Sequence, residues 1–226
     1  NLIFVALSDM FGGNTSRALE EFSKIISSKG RVLPATVNDV NIWAITSDGK
    51  KVEGEENIDL GKYNTKSRSL KEVHLNPPKA KAYKPSIEAI EEAEVIIIGP
   101  GDLFSTVLPV LIVPQIKTAL HKSNAKKVFI VNTCNKPFET AGFKVSDYLN
   151  IIKKHAPDLD LHTILVNTNQ KPKIPSNLKY SYVPFDKTSI KNNEYLIIEG
   201  DFVNISYTLS HDSDKISRAL EKIIKS

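Results

Sequence analysis

Three short stretches of this 226-residue chain place chemically capable residues where an apolar run stops. Gly99, Pro100, Gly101 and Asp102 follow Val95-Ile96-Ile97-Ile98 and lead into Leu103-Phe104-Ser105-Thr106, while Asn132-Thr133 and Asn167-Thr168 each follow a further apolar run. Glycines admit positive φ and let a backbone approach a ligand closely, and N–H groups at the start of a following helix can accept an anion. Asp102 has a different chemistry, because a carboxylate beside a helix start repels phosphate but holds a ribose hydroxyl or a cation. Glu139 and Thr140, in the loop after the second run, can reach the same cleft. Each residue also has a plainer role: Gly99 to Gly101 as a tight connection, Asp102, Ser105 or Thr106 as a helix cap, the asparagines as turn residues, and Glu139 as a solvated loop charge. Gly-Pro-Gly is neither a dinucleotide fingerprint nor a P-loop, so the local pattern implies a polar, phosphorylated ligand and stops there.

Such residues converge only if the strands before them are parallel neighbours. Val95 to Ile98 is β-branched without polar alternation, as in a strand buried on both faces. Residues 127–132, 162–166 and 195–198 read as further strands, and residues 85–93, 110–122, 145–155 and 212–224 as helices, with Pro114 distorting the second of these. Alternation of strand and helix from residue 84 onward predicts an α/β fold, a Rossmann-like parallel sheet sandwiched by helices with ligands at the strands' carboxyl ends. Ahead of it, residues 1–11 read as a buried helix tail or a strand, and residues 15–28 as an amphipathic helix. Residues 41–47 and 51–57 flank Asp48-Gly49 as a hairpin, residues 59–78 are polar apart from a short strand at Val73-His74-Leu75, and residues 36–80 read as a β-rich inserted subdomain on a core of residues 1–35 and 81–226.

Composition narrows the classes. With 41% hydrophobic and 25% charged residues the chain is globular in type, and no apolar run approaches the ~18 residues of a membrane span. A net charge of +4 with scattered lysines argues against nucleic acid. A single cysteine, Cys134, and no visible secretory signal favour a reducing cytoplasm. The five histidines lack zinc-like spacing, Asp212 and Asp214 beside His211 suit a helix cap, and no Ser/His/Asp order is present.

With these residues assembled, the sequence resembles the CofD-like superfamily, and within it the bacterial gluconeogenesis factors of the YvcK type. Asn1-Leu2-Ile3-Phe4-Val5-Ala6-Leu7 is similar to that family's G-N-L-hydrophobic helix, and Arg31-Val32-Leu33-Pro34-Ala35-Thr36 to its R-V-L-P-A-T turn. Asp48-Gly49 and Gly54-Glu55 sit where its hairpin carries D-G and G-E. The segment from Gly99 to Pro109 is similar to G-P-G-[SD]-L-[YF]-[TS]-[ST]-[IV]-L-P, with Val113-Pro114 following. Asn132, Pro137, Glu139, Thr140, Gly142, Ser146 and Asp147 keep much of the spacing of the N-x3-Q-P-G-E-T-D-G-[YF] loop.

The resemblance implies a core that binds a nucleotide ligand, UDP-N-acetylglucosamine or a related UDP-sugar, with a dinucleotide as a further candidate and no established turnover. It implies a cytoplasmic regulator linking carbon metabolism to cell-wall synthesis and cell shape; a homodimer is compatible with it. The ligand residues expected are Gly99, Pro100, Gly101, Asp102, Ser105, Thr106, Asn132, Thr133, Glu139, Thr140 and Asn167, with no catalytic residue and no metal ligand, and Tyr180 aligns loosely with a family tyrosine near the ligand. The enzymatic alternative is the sister branch of 2-phospho-L-lactate transferases, which attach a phospholactyl group to a deazaflavin; a truncated homologue acting as a scaffold is the third reading. The family's Gly-rich G-G-G-T-G turn and Asp-rich segment would lie ahead of Asn1, so half of the nucleotide site is expected there. Within the retained loop Asn135 replaces Thr, Lys136 Gln, Phe138 Gly and Ala141 Asp, and an arginine expected before His211-Asp212 is absent. Phe138 is expected to disturb the loop most, since it replaces a residue suited to backbone freedom.

Overall fold

The structure, a computed structural model, describes residues 2–61, 68–190 and 194–225. Asn1 of the opening motif and residues 62–67 of the polar segment lie outside the described residues.

The chain opens with α1 (Leu2–Met10) and α2 (Thr15–Ile25), the second capped by the Asn14 side chain accepting from Arg17 N–H. The density of apolar residues in α1 predicts burial, yet none of its residues is buried; the Phe4 ring meets Phe22 of α2 edge-on. The hairpin forms as expected from Asp48-Gly49, pairing β1 (Asn41–Thr46) with β2 (Lys51–Glu53). The second run is shorter than its composition suggests. Gly54 at φ +83° ends it, and Glu55 and Glu56, suited to a positive helix start, open α3 (Glu55–Leu60) instead. Residues 70–76, wider than the three expected, form β3 (Leu70–Asn76), antiparallel to β1 with Trp43 opposite His74.

After α4 (Lys84–Glu91) comes β4 (Val95–Ile98). The helix expected over 110–122 is two helices, α5 (Leu108–Leu111), preceded by a π turn at Leu103–Val107, and α6 (Pro114–Lys122). The two segments are bent by 71°, and Pro114 starts the second helix, where its missing N–H does no harm. Then follow β5 (Lys126–Ile130), β6 (Cys134–Asn135), α7 (Val145–His155), β7 (Thr163–Asn167), β8 (Ser181–Tyr182), β9 (Leu196–Gly200) and α8 (Ser213–Lys225). Asp212 caps α8, its Oδ1 accepting from Asp214 and Lys215 N–H at 3.1 Å, the helix-cap role expected for it.

The central sheet is parallel in the order β4-β5-β7-β9, with separate antiparallel sheets β2-β1-β3 and β6-β8. Side-chain alternation divides the strands between two apolar clusters. Phe129, Ile164 and Val166 face the larger one, with α5, α6, α7 and the inner face of the β1-β3 sheet, whereas Val128, Ile130 and Leu165 face Ala219 and Ile223 of α8. Every residue of β7 is buried. β4 departs from expectation: it is a sheet edge, and Ile97 remains 43% exposed. No single described helix is long and apolar enough to cross a membrane.

Candidate functional site

Parallel register sets Ile98 beside Phe129, so the chain leaves β4 and β5 at adjacent points and the loops after them meet. Gly99 has φ +73°, and a Cβ built on it would lie 3.1 Å from the Ile130 carbonyl oxygen, so both its backbone and its space require glycine. Its peptide bond to Pro100 is cis. Beyond it Gly101 N–H donates to Asn132 Oδ1 at 3.2 Å, tying the two strand ends together.

The helix start that follows carries its own anion. Glu139 is fully buried; its Oε2 accepts from Phe104 N–H at 2.8 Å and Ser105 N–H at 3.3 Å, and its Oε1 accepts from the Ser105 hydroxyl at 2.6 Å. Thr106 and Val107 N–H donate to the Asp102 carbonyl. The N–H groups of residues 104–107 are therefore engaged, and the cap is not the side chain of Asp102, Ser105 or Thr106 but a carboxylate from another loop. Burial pushes the Glu139 carboxyl up to about 7, against the pull of the Ser105 hydroxyl and the Phe104 N–H. The expectation of a solvated loop charge is overturned: the backbone of the loop is pinned, Leu70 N–H donating to the Glu139 carbonyl and Arg68 N–H to that of Pro137, which draws the side chain inside.

Lys136 lies over this centre. Its ammonium donates to Asp102 Oδ2 at 2.6 Å and also contacts Asp59 Oδ1. Burial alone would lower the affinity of Lys136 for its proton, but the bonds to Asp102 and Asp59 outweigh it and hold the group firmly charged. Ser105 Oγ is 3.4 Å from Asp59 Oδ1. Carboxylate oxygens of Asp59, Asp102 and Glu139 fall within 4.8 Å of one another, a set of hard oxygen donors able to surround a divalent cation. Here the lysine ammonium engages two of the three. Tyr180 is half-buried and precedes Ser181, which pairs with Asn135 next to Lys136; burial raises its phenol above the ordinary range, and the charges of Lys136, Asp102, Asp59 and Glu139 act on it less strongly.

Of the residues singled out from sequence, Gly99, Pro100, Gly101, Asp102, Ser105, Asn132 and Glu139 are thus brought together. Thr106 is exposed one residue further on. Thr133, Thr140 and Asn167 are buried and turned inward. Thr133 donates to the Leu209 carbonyl, Thr140 Oγ1 accepts from Lys136 N–H and the Tyr148 hydroxyl, and Asn167 bridges Phe202 N–H and the Asn169 carbonyl. Asp59 and Lys136 escaped the sequence reading as site residues. Lys136 stood out only as a replacement for Gln, and Asp59 carried no signal, because it arrives from α3 through tertiary packing. That packing also accommodates Phe138. Gly61, at φ +59° at the end of α3, has its missing side chain's place filled by the Phe138 ring, so the aromatic residue locks the loop against α3 rather than disturbing it.

The sequence profile described as 2-phospho-L-lactate transferase CofD matches residues 1–203. An Aquifex aeolicus protein provisionally named a gluconeogenesis factor is 35% identical over 239 residues, covering 100% of this chain and 69% of that protein. The gluconeogenesis factor of Bacillus subtilis is 33% identical over 233 residues, covering 100% of this chain and 71% of its own length. A crystal structure of a UPF0052 family member from Bacillus halodurans superposes with a TM-score of 0.86 at 32% identity, over 98% of this chain and 71% of that one. By profile, sequence and fold together, the chain belongs to the CofD family, among the members that carry the gluconeogenesis-factor name.

Proposed function

We propose that this chain is the nucleotide-sugar-binding part of a cytoplasmic regulator, with UDP-N-acetylglucosamine or a related UDP-sugar as ligand, linking carbon metabolism to cell-wall synthesis and cell shape. The observation that carries the reading is the convergence, at the carboxyl ends of β4 and β5, of Asp59, Asp102, Ser105, Asn132 and Lys136 beside Tyr180, in a chain whose relatives bear the gluconeogenesis-factor name. Mixed donors and acceptors beside an aromatic ring suit a ligand with hydroxyls, phosphates and a base. The antiparallel sheet β2-β1-β3 and α3 serve, in this reading, as a second wall, since α3 supplies Asp59. A dinucleotide is the competing ligand, and a homodimer the assembly to look for. Isothermal titration of the chain with UDP-N-acetylglucosamine tests the proposal: saturable binding supports it, and silence at millimolar ligand refutes it.

One observation favours a second reading. The Ser105 hydroxyl lies 2.6 Å from a buried carboxyl poised near neutral pH, the pairing a proton acceptor needs. It fits a transferase of the 2-phospho-L-lactate type, in keeping with the description of the matching profile. A deazaflavin acceptor offered with a guanylyl-lactate donor should then yield a product with the phospholactate esterified to its hydroxyl, with guanosine monophosphate released, and Glu139→Gln should abolish both.

A further inference from the structure

We infer that the wall from Gly99 to Ser105 takes the hydroxyl-bearing sugar part of a nucleoside diphosphate sugar and that the phosphates lie away from it. This rests on the ligand class proposed above and assigns which end of that ligand meets which surface.

A phosphate has acceptor oxygens and needs donors, and most of the N–H donors along this wall are in use. Phe104 and Ser105 N–H donate to Glu139, Thr106 and Val107 N–H to the Asp102 carbonyl, and Gly101 N–H to Asn132. The Lys136 side chain is only 13% accessible and its ammonium is engaged by two carboxylates. What the wall presents instead are acceptors, because the Asp59 and Asp102 side chains remain 21% and 36% accessible. A carboxylate with part of its surface open has lone pairs to offer beyond the one the ammonium holds. Sugar hydroxyls donate to such groups and to a lone pair of the Ser105 hydroxyl oxygen, whose own proton goes to Glu139 and which sits 3.4 Å from Asp59. A diphosphate placed there would meet two carboxylates, while the Lys136 ammonium and the N–H groups of Gly101, Phe104 and Ser105 already have partners. Ribose and hexose both supply the required hydroxyls, and ligand analogues separate them.

The test is titration calorimetry of the full chain, wild type and Asp102→Asn, with UDP-N-acetylglucosamine, UDP and 2′-deoxy-UDP. The substitution keeps the shape and removes the charge. We expect the affinity of Asp102→Asn for UDP-N-acetylglucosamine to fall about tenfold, as for loss of a hydrogen bond to a charged acceptor. If UDP is weakened equally and 2′-deoxy-UDP is not, the contact is to ribose; if UDP keeps its affinity, it is to the hexose, and both outcomes support the inference. Unchanged or tighter binding of the nucleotide-sugar overturns it, because a phosphate at this wall gains from losing a neighbouring negative charge. Should Asp102→Asn fail to fold, as read from its melting curve, Ser105→Ala replaces it with every charge retained; a loss of about threefold is expected, and no loss overturns the inference. A wild type that binds none of the three compounds refutes the ligand class itself, whereas a wild type that binds, with both variants binding equally well, refutes only this assignment.

Discussion

The strand ends after β5 and β7 carry the same Asn-Thr pair and use it differently. Asn132 reaches sideways to Gly101 of the neighbouring strand end, and around that bridge gather Asp102, Lys136, Asp59 and buried Glu139. Asn167 instead folds its amide back into its own surroundings, accepting from Phe202 N–H at 2.9 Å and donating to the Asn169 carbonyl at 2.8 Å. One end concentrates charge that only partly cancels, and the other satisfies neutral polar atoms completely. A shared motif therefore fixes where polar groups lie on the sheet edge, while the loop that follows decides whether they join a charged cluster or close a turn.

The charged end should break most severely when its cation is removed. Lys136→Met leaves Asp59 and Asp102 facing each other beside Glu139, and loss of one member of a half-buried ionic cluster costs about 3–5 kcal/mol. Urea unfolding at neutral pH measures it. Millimolar Ca²⁺ should raise the melting temperature of this variant and not that of the wild type, since the three carboxylates can then share a metal ion where the ammonium was. A variant as stable as the wild type would show that the ammonium does not neutralise the cluster.

Glu139 gives the next largest effect, with a sign opposite to that of an ordinary paired carboxylate. Its carboxyl titrates at about 7 in the fold against 4.5 for the free side chain, so between those values the folded chain holds the proton that the unfolded chain has lost. Stability from this group therefore falls as pH rises from about 4.5 to about 7, by roughly 3 kcal/mol in all. Glu139→Gln should match the wild type near pH 5 and exceed it near pH 8, because the amide oxygen still accepts from Phe104 N–H without carrying charge. Equal pH dependence of the two proteins would place the titrating group elsewhere.

The uneven legibility of the sequence follows the same division. The strands of the parallel sheet, Asp212 as a cap and the convergence of the β4 and β5 ends were readable, because period, turn residues and strand parallelism are local or nearly so. Four features were not. The helical α3 was hidden in a run of strand-like residues, since one glycine at positive φ is enough to end the strand. The burial of Glu139 depends on backbone pairing of its loop with residues 68–70, and the arrival of Asp59 depends on how α3 packs. Phe138 looked disruptive in isolation, because the glycine that receives it, Gly61, is 77 residues earlier in the chain.

That packing offers a third test of the charged end. Gly61→Ala forces a Cβ into the Phe138 ring and puts alanine at φ +59°, costing about 3 kcal/mol from strain and overpacking together. Combining it with Phe138→Ala removes the clash but not the backbone strain. The double variant should then lose less stability than the two single losses added, a coupling that denaturant unfolding of all four proteins resolves. Simple additivity would mean that the loop and α3 are not locked together through this contact.

The smallest effects compare the two asparagines directly. Asn167→Ala strands Phe202 N–H in the interior, where Phe202 is only 6% exposed, and should cost about 2 kcal/mol while leaving ligand affinity unchanged. Asn132→Ala removes a longer, half-exposed bond to Gly101 and should cost about 1 kcal/mol, yet lower the affinity for UDP-N-acetylglucosamine because it frees the loop that positions Asp102. Stability and binding thus move in opposite order for the same substitution at equivalent strand ends. If Asn167→Ala weakened binding as much as Asn132→Ala, the proposed ligand site would have to extend across β7, and the separation between a charged end and a neutral end would fail.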